Sequence, residues 1–153
     1  MILETKKKGW NIEDFLTAKE ETEVVEAIRM AENQTSGEIR VHLEPKAKKE
    51  PFERAKEVFN LLGMEKTHQR NGVLVYVAIK DQILVILGDQ GINNKVAPDF
   101  WEHTKDIIIS HFKEGQIKQG LVDGILMAGQ QLKEHFPLEK NDNNELSDKI
   151  STH

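Results

Sequence analysis

The clearest strand signal in this chain is GVLVYVAIKDQILVILGDQG, Gly72–Gly91. Two apolar runs rich in β-branched residues, VLVYVAI and ILVIL, are separated only by Lys80, Asp81 and Gln82. Such runs with a short polar break between them are typical of a tight antiparallel hairpin. Because both runs are almost wholly apolar, we expect the two strands at the centre of the sheet.

The segments around the hairpin follow either a helical or an extended pattern. The residues EIRVHL, Glu38–Leu43, alternate polar and apolar side chains and predict a strand with one solvated face or an edge position. Thr17–Asn33 and the segments after Pro51 and Pro98 carry apolar residues at helical spacing. The order of elements predicts an α/β sandwich in which helices cover a small mixed sheet.

The composition is typical of one soluble globular domain. The chain has 153 residues, of which 38% are hydrophobic and 31% charged, and its net charge of −5 argues against nucleic-acid binding. The absence of cysteine excludes disulfides, thiolate nucleophiles and cysteine-based metal sites. We predict a single domain over residues 1–136 and a polar, mobile tail over residues 137–153.

The sequence contains no segment that reads as a membrane anchor or a secretory signal. The first thirty residues lack a continuous apolar core, and the longest clean apolar run, Val73–Ile79, is far shorter than a membrane-spanning helix requires. A cytoplasmic location is therefore the expectation.

Strand directions predict that three polar segments meet at one end of the sheet. A helix separates the strand at Glu38 from the strand at Val73, so these two strands are expected to be parallel, and the hairpin then reverses the chain. The segments TSGE, THQRNG and GDQG consequently lie near one another. They bring Glu38, Arg70, Asn71 and Asp89 to the same end.

Three interpretations of this polar end remain open. Glu38, Asp89 and Asn71 offer the oxygen ligands that calcium or another divalent cation takes. Alternatively, Asp89 acts as nucleophile or base in phosphoryl transfer while Arg70 holds phosphate oxygens. In the third, purely structural interpretation, Glu38 pairs with Arg70 and Asp89 caps its own loop. No nucleotide or organic cofactor is expected, because phosphate-binding glycine motifs are missing from the sequence.

A protein partner is a further hypothesis. A free sheet edge, or the helix that contains Phe100 and Trp101, could form the contact surface. The aromatic pair is also compatible with a place in the core, since aromatic side chains at helical spacing usually pack inside.

Three stretches in this order resemble the TPM domain family: SGEIRVHL, then RNGVLVYVAIKDQILVILGDQGI, then FWEHTKDIIISHFKEGQIKQGLVDGI. The resemblance extends over residues 17–136. It implies a three-layer α/β/α sandwich around a mixed sheet of about four strands. Members of the family include membrane-associated proteins, so the implied partner is a protein that could itself lie at a membrane.

The resemblance also implies a phosphatase label and, for some members, calcium or other divalent binding. Carried over to this chain, the family's acidic positions are Glu38, Asp89 and, as a separate candidate in the hairpin, Asp81. Many relatives carry arginine after the hairpin aspartate and an acidic residue in the next strand, whereas this chain has Gln82 and the apolar run Ile83–Leu87. This difference favours a binding or accessory module over a metal-assisted phosphomonoesterase.

Overall fold

The computed structural model describes residues 15–138 and shows an alternating arrangement of helices and strands. The predicted tail lies outside the described residues from position 139 onward. The elements in chain order are α1 (Ala18–Glu32), β1 (Glu38–Glu44), α2 (Pro51–Leu61), a 3₁₀ turn (Met64–Lys66), β2 (Gly72–Ala78), β3 (Ile83–Gly88), α3 (Gln90–Asn93), α4 (Phe100–Lys113) and α5 (Ile117–His135).

The described part of the chain forms a three-stranded sheet in the order β1-β2-β3. β1 runs parallel to β2, with Glu38 opposite Gly72, and β2 runs antiparallel to β3, with Val73 opposite Gly88. The predicted parallel pair and the predicted hairpin are therefore confirmed. The prediction that both hairpin strands are central is wrong for β3, which is an outer strand with mostly half-buried residues, because a three-stranded sheet has one central strand, β2. The predicted count of about four strands is corrected to three, because the other apolar segments of residues 15–138 have helical spacing and form helices.

The sheet has helices on both faces, as the three-layer prediction requires. All seven residues of β2 are buried, since this strand lies between two neighbours and under two helical layers. Val73, Val75, Val77 and Ile79 belong to the larger core together with side chains of α1, α4 and α5. Leu74, Tyr76 and Ala78 point to the other face, where they pack against α2 in a smaller core.

The helix boundaries follow from local chemistry. Thr17 caps α1 by accepting a hydrogen bond from the Glu20 amide, and the Glu20 side chain accepts one from the Thr17 amide, so the two residues form a capping box. Pro51 begins α2, where its missing N–H costs nothing. Gly63 follows the end of α2 with a φ of +72°, a conformation that glycine adopts without a steric penalty.

Within the described residues, none of the helices combines the length and the apolar character that a bilayer crossing demands.

Candidate functional site

Asp89 lies where β3 ends, at the sequence GDQG. Its backbone amide donates to the Gly72 carbonyl at 2.9 Å, which extends the β2–β3 pairing by one residue. Its carboxylate accepts a hydrogen bond from the Gln90 amide at 2.8 Å and thereby caps the short helix α3. Asp89 is only 8% exposed, so the sheet end contains a buried carboxylate.

Arg70 neutralises this carboxylate from the solvent side. Its Nε donates to Oδ2 of Asp89 at 2.7 Å and its Nη2 donates to Oδ1 at 2.9 Å, the bidentate geometry typical of arginine–carboxylate pairs. The two partners differ in solvent exposure, since the Arg70 side chain is 43% exposed and the Asp89 side chain is 7% exposed. Hydrogen bonding to Asp89 raises the pKa of Arg70 above its ordinary value.

The two glycines around Asp89 let neighbouring groups approach the backbone closely. Gly91 donates its amide to the Arg70 carbonyl at 2.8 Å, and a Cβ at this position would collide with the carbonyl oxygens of Gln69 and Arg70. A Cβ at Gly88 would lie 2.9 Å from the Trp101 ring. The glycines therefore allow close packing, and Gly91 joins the loop of Arg70 to the loop of Asp89.

A cleft of about 180 Å³ opens beside the ion pair. We call it the Arg70 cleft; its lining residues are Lys56, Phe59, Asn60, Glu65, Arg70, Leu87, Gly88 and Asp89. Glu65 comes from the 3₁₀ turn and is partly buried. Its Oε2 atom is inaccessible to solvent and has no hydrogen-bond partner among the described residues. The cleft thus combines two carboxylates with two cationic side chains.

Glu38 lies at the same end of the sheet but outside the Arg70 cleft. Glu38 and Asp89 are both opposite Gly72, on its two sides, which corresponds to a Cα separation of about 10 Å. The space above Gly72 is occupied by Met64 and Phe59, whose nearest atoms would lie 3.3–3.5 Å from a Cβ at this glycine. The Glu38 carboxylate instead approaches the Nε of Arg40 at 3.6 Å.

Asn71 is buried, with 1% of its surface exposed. Its side chain donates to Ser36 Oγ at 3.2 Å, while its Oδ1 has no partner within residues 15–138. Neighbouring side chains of an extended chain point to opposite faces. The Asn71 side chain therefore lies on the face of the sheet opposite to the one on which Met64 covers Gly72. Asp81 lies at the other end of the sheet, where its carboxylate accepts a hydrogen bond from the Ala47 amide at 3.0 Å.

The structure therefore brings Arg70 and Asp89 together and leaves Glu38, Asn71 and Asp81 outside their contact. No group of three or more histidine, aspartate or glutamate side chains in residues 15–138 has a metal-binding arrangement. The cation ligands named from the sequence remain a prediction. Glu65 was not among them, because a three-residue 3₁₀ turn leaves no periodic signal in a sequence.

The similarity to known proteins agrees with this architecture. A family model described as the TPM domain matches residues 11–131. The chain belongs to the TPM domain family. This TPM domain is also similar to the BA42 protein of the psychrophilic bacterium Bizionia argentinensis, solved by NMR, with a TM-score of 0.79 and 54% sequence identity over 86% of this chain and 91% of BA42. No curated protein matches the chain significantly.

The TPM domain contains a second polar cluster, which the sequence reasoning missed. At the other end of the sheet, Glu44 accepts hydrogen bonds from Arg54 at 2.9 and 3.0 Å, from the buried Tyr76 hydroxyl and from His42 at 3.2 Å. The Arg54 hydrogen bonds are the main cause that lowers the pKa of Glu44 to about 2, against the opposing effect of burial. Burial is the main cause that raises the pKa of Tyr76.

All four members of this cluster have hydrogen-bond partners within it, and the cluster joins β1 and β2 to α2. The signal in the sequence was the polar face of β1, where Arg40, His42 and Glu44 recur at every second residue. The partner Arg54 could not be identified from this pattern, because its position depends on how α2 crosses the sheet.

Trp101 does not form an exposed patch with Phe100 in this TPM domain. The two rings contact each other edge to face at 4.8 Å, and Trp101 donates a hydrogen bond to Asn93 at 2.6 Å. Trp101 is also packed against the larger core. The large hydrophobic side chains exposed within residues 15–138 lie elsewhere, at Val25, Met30, Phe52, Leu61 and Leu126.

Proposed function

We propose that this protein is a binding module and that its ligand in the Arg70 cleft is a divalent cation such as Ca²⁺. The observation that carries the proposal is Oε2 of Glu65, a carboxylate oxygen that is inaccessible to solvent and lacks a partner within the described residues. Such an oxygen is costly to leave unsatisfied, and a hard cation would satisfy it. The buried carboxylate of Asp89 lines the same cleft and would supply the second charged ligand.

The composition of the Arg70 cleft supports a cation site of moderate affinity. Ca²⁺ takes six to eight oxygen ligands in flexible geometry, so two carboxylates would be completed by water or backbone carbonyls. Lys56 and Arg70 line the cleft as well and lower its affinity for cations. Of the three ligands predicted from the sequence, the proposal retains Asp89. Glu65 takes the place of Glu38 and Asn71.

Calorimetric titration of the full chain with CaCl₂ tests this function. The unaltered protein should bind one Ca²⁺, and Asp89→Asn or Glu65→Gln should weaken binding at least about tenfold, because each removes a charged ligand. Glu38→Gln is the matched variant at the same sheet end and should leave the affinity unchanged. At 100 times the dissociation constant, Ca²⁺ should stabilise the fold by about 2.7 kcal/mol.

Two results would count against the cation site as proposed. The first is the absence of both binding heat and a thermal shift at millimolar Ca²⁺. The second is a loss of binding in Glu38→Gln with full binding in Glu65→Gln, which would return the site to the ligands named from the sequence.

Metal-assisted phosphomonoester hydrolysis is the second candidate. The half-exposed guanidinium of Arg70 and the amine of Lys56 line one cleft with Asp89, so phosphate oxygens and a carboxylate base or nucleophile could meet there. Turnover of a generic phosphomonoester that disappears in a folded Asp89→Asn variant would favour this function. A lack of turnover across pH and divalent metals would leave the binding module. The cytoplasmic location and the protein partner stay predictions from the sequence.

A further inference from the structure

The Arg70 guanidinium places its positive charge against both oxygens of Asp89, the carboxylate that would be a ligand of the proposed cation. Both oxygens of the Asp89 carboxylate accept from the guanidinium, at 2.7 and 2.9 Å, and the Gln90 amide binds one of them as well. The remaining carboxylate of the cleft, Glu65, contributes a smaller attraction to the same guanidinium. In the free protein, Arg70 therefore neutralises the Asp89 carboxylate, which the proposed cation would otherwise neutralise.

The Arg70 side chain is partly exposed, whereas the Arg70 backbone is held by hydrogen bonds on both sides of the peptide. The Arg70 amide donates to the Thr67 carbonyl at 3.2 Å, and its carbonyl accepts from Gly91 at 2.8 Å. By contrast, the guanidinium contacts Asp89 from the solvent side and is 43% exposed. Rotation of this side chain would uncover the carboxylate without changing the loop that carries it.

We infer that Arg70 determines the cation affinity of the cleft, by occupying the cation position as a built-in competitor. This inference rests on the proposed function, because it concerns the same cleft. A cation must displace the guanidinium to reach Asp89, and a divalent ion gains twice the Coulomb energy that a monovalent ion gains there. Displacing Arg70 costs every cation the same free energy, so Arg70 lowers the affinity of the cleft for all of them, and Ca²⁺ has the larger Coulomb gain with which to offset that cost.

The matched variants are Arg70→Gln and Arg40→Gln. Each removes one positive charge from a side chain that is 43% exposed and lies near a carboxylate at the same end of the sheet, Asp89 for Arg70 and Glu38 for Arg40. A general effect of net charge would change the Ca²⁺ affinity of both variants equally. If Arg70 is a competitor, only Arg70→Gln changes its Ca²⁺ affinity.

The experiment is calorimetric titration of the full chain and both variants with CaCl₂ at fixed KCl. We expect Arg70→Gln to bind Ca²⁺ about fivefold more tightly, the size expected for loss of one half-exposed ion pair. Arg40→Gln should bind as the unaltered protein does. Arg70→Gly serves as a second variant, since glycine accepts the φ of +52° at this position and preserves the loop if glutamine does not.

The outcomes separate the inference from the proposed function. Equal or weaker Ca²⁺ binding by Arg70→Gln and Arg70→Gly overturns the inference, while binding by the unaltered protein still supports the cation site. Equal tightening in Arg40→Gln also overturns the inference. Binding by the Arg70 variants alone supports Arg70 as competitor and overturns cation binding as the function of the unaltered chain. No binding by any of the proteins overturns both.

Discussion

Gly91 shows how one residue connects the two loops of the site. Its amide donates to the Arg70 carbonyl, and its missing side chain leaves room for the carbonyls of Gln69 and Arg70. Backbone oxygens cannot move aside as a flexible side chain can. The position therefore requires glycine for steric reasons, even though its φ is not in the left-handed region.

Replacing Gly91 with alanine should destabilise the protein by about 3 kcal/mol, because the new Cβ overlaps the backbone of Gln69 and Arg70 and breaks the bond to the Arg70 carbonyl. Gly63→Ala is the control. It places alanine at a φ of +72° with only Lys66 Cδ nearby, at 3.9 Å, and should cost about 1 kcal/mol. Urea unfolding at neutral pH measures both, and equal losses in the two variants would contradict the steric explanation.

Residue by residue, the sequence predicted that Arg70 and Asp89 lie at one end of the sheet, but the ion pair it suggested, Glu38 with Arg70, is wrong, because Arg70 binds Asp89 and Glu38 approaches Arg40. Strand directions were sufficient to place these two residues at one end of the sheet, because the direction of a strand determines where its loops lie. They were not sufficient to place Glu38, since Met64 covers Gly72 and separates Glu38 from Asp89. Which side chain covers a glycine depends on tertiary packing, which no local pattern records.

At the scale of elements, the Glu44–Arg54 pair attaches β1 to α2. Glu44 is 10% exposed at its side chain and Arg54 11%, so the pair is shielded from solvent on both sides. β1 carries charged or polar residues on the face that β2 uses for packing against α2. The ion pair takes over in β1 the role that apolar packing has in β2.

This attachment predicts a pH-dependent stability. The folded pKa of Glu44, about 2, lies below its ordinary value of 4.5. Stability from this residue is therefore present above about pH 4.5 and is lost as the pH falls towards 2. Over that range the loss should reach about 3 kcal/mol, at 1.36 kcal/mol per unit of pKa difference. Glu44→Gln should lose a similar amount at pH 7 and show a flatter profile between pH 5 and 2.

Urea unfolding over this pH range checks the prediction. Glu57→Gln is the control, because Glu57 also binds Arg54 but is 39% exposed at its side chain. It should lose less stability at pH 7 and keep most of the slope at low pH, because its lowered pKa comes from exposed contacts that solvent screens. A Glu44→Gln variant with an unchanged slope would show that another carboxylate causes the acid transition.

The elements themselves were predictable to a large extent. The capping box at Thr17, the proline at the start of α2 and the apolar runs of the hairpin are local signals, and each produced the expected element. Long-range contacts between elements were harder to predict from the sequence. The ion pair of Glu44 with Arg54 needs the crossing of α2 over the sheet, and that crossing follows from side-chain packing rather than from periodicity.

At the scale of the whole molecule, β2 is the centre of the structure. It has a hydrogen-bonded strand on each side and buries every side chain, with one core on each face. The two outer strands have one free edge each within the described residues. In β1, every second backbone amide binds β2. The amides of Val41 and Leu43 lie between these and point to the outer edge of β1.

Native-state hydrogen exchange should therefore show stronger amide protection in β2 than at the outer edge of β1. We expect the β2 amides to exchange only through global unfolding, and the outward amides of Val41 and Leu43 to exchange at least about a hundredfold faster through local opening. NMR-detected exchange at neutral pH measures both sets in one sample. Equal protection would mean that another segment or another molecule covers the edge of β1.

The hydrogen bond from Gly91 to the Arg70 carbonyl also bears on the speed of ligand exchange. It holds the loop backbone in place, so only the guanidinium must move when a ligand enters the Arg70 cleft. Exposed side chains change rotamer within picoseconds to nanoseconds, whereas loops that open take far longer. Entry of the proposed cation would then require Arg70 to break its two hydrogen bonds to Asp89 but no opening of the loop, so the proposed site would follow rapid changes in cation concentration.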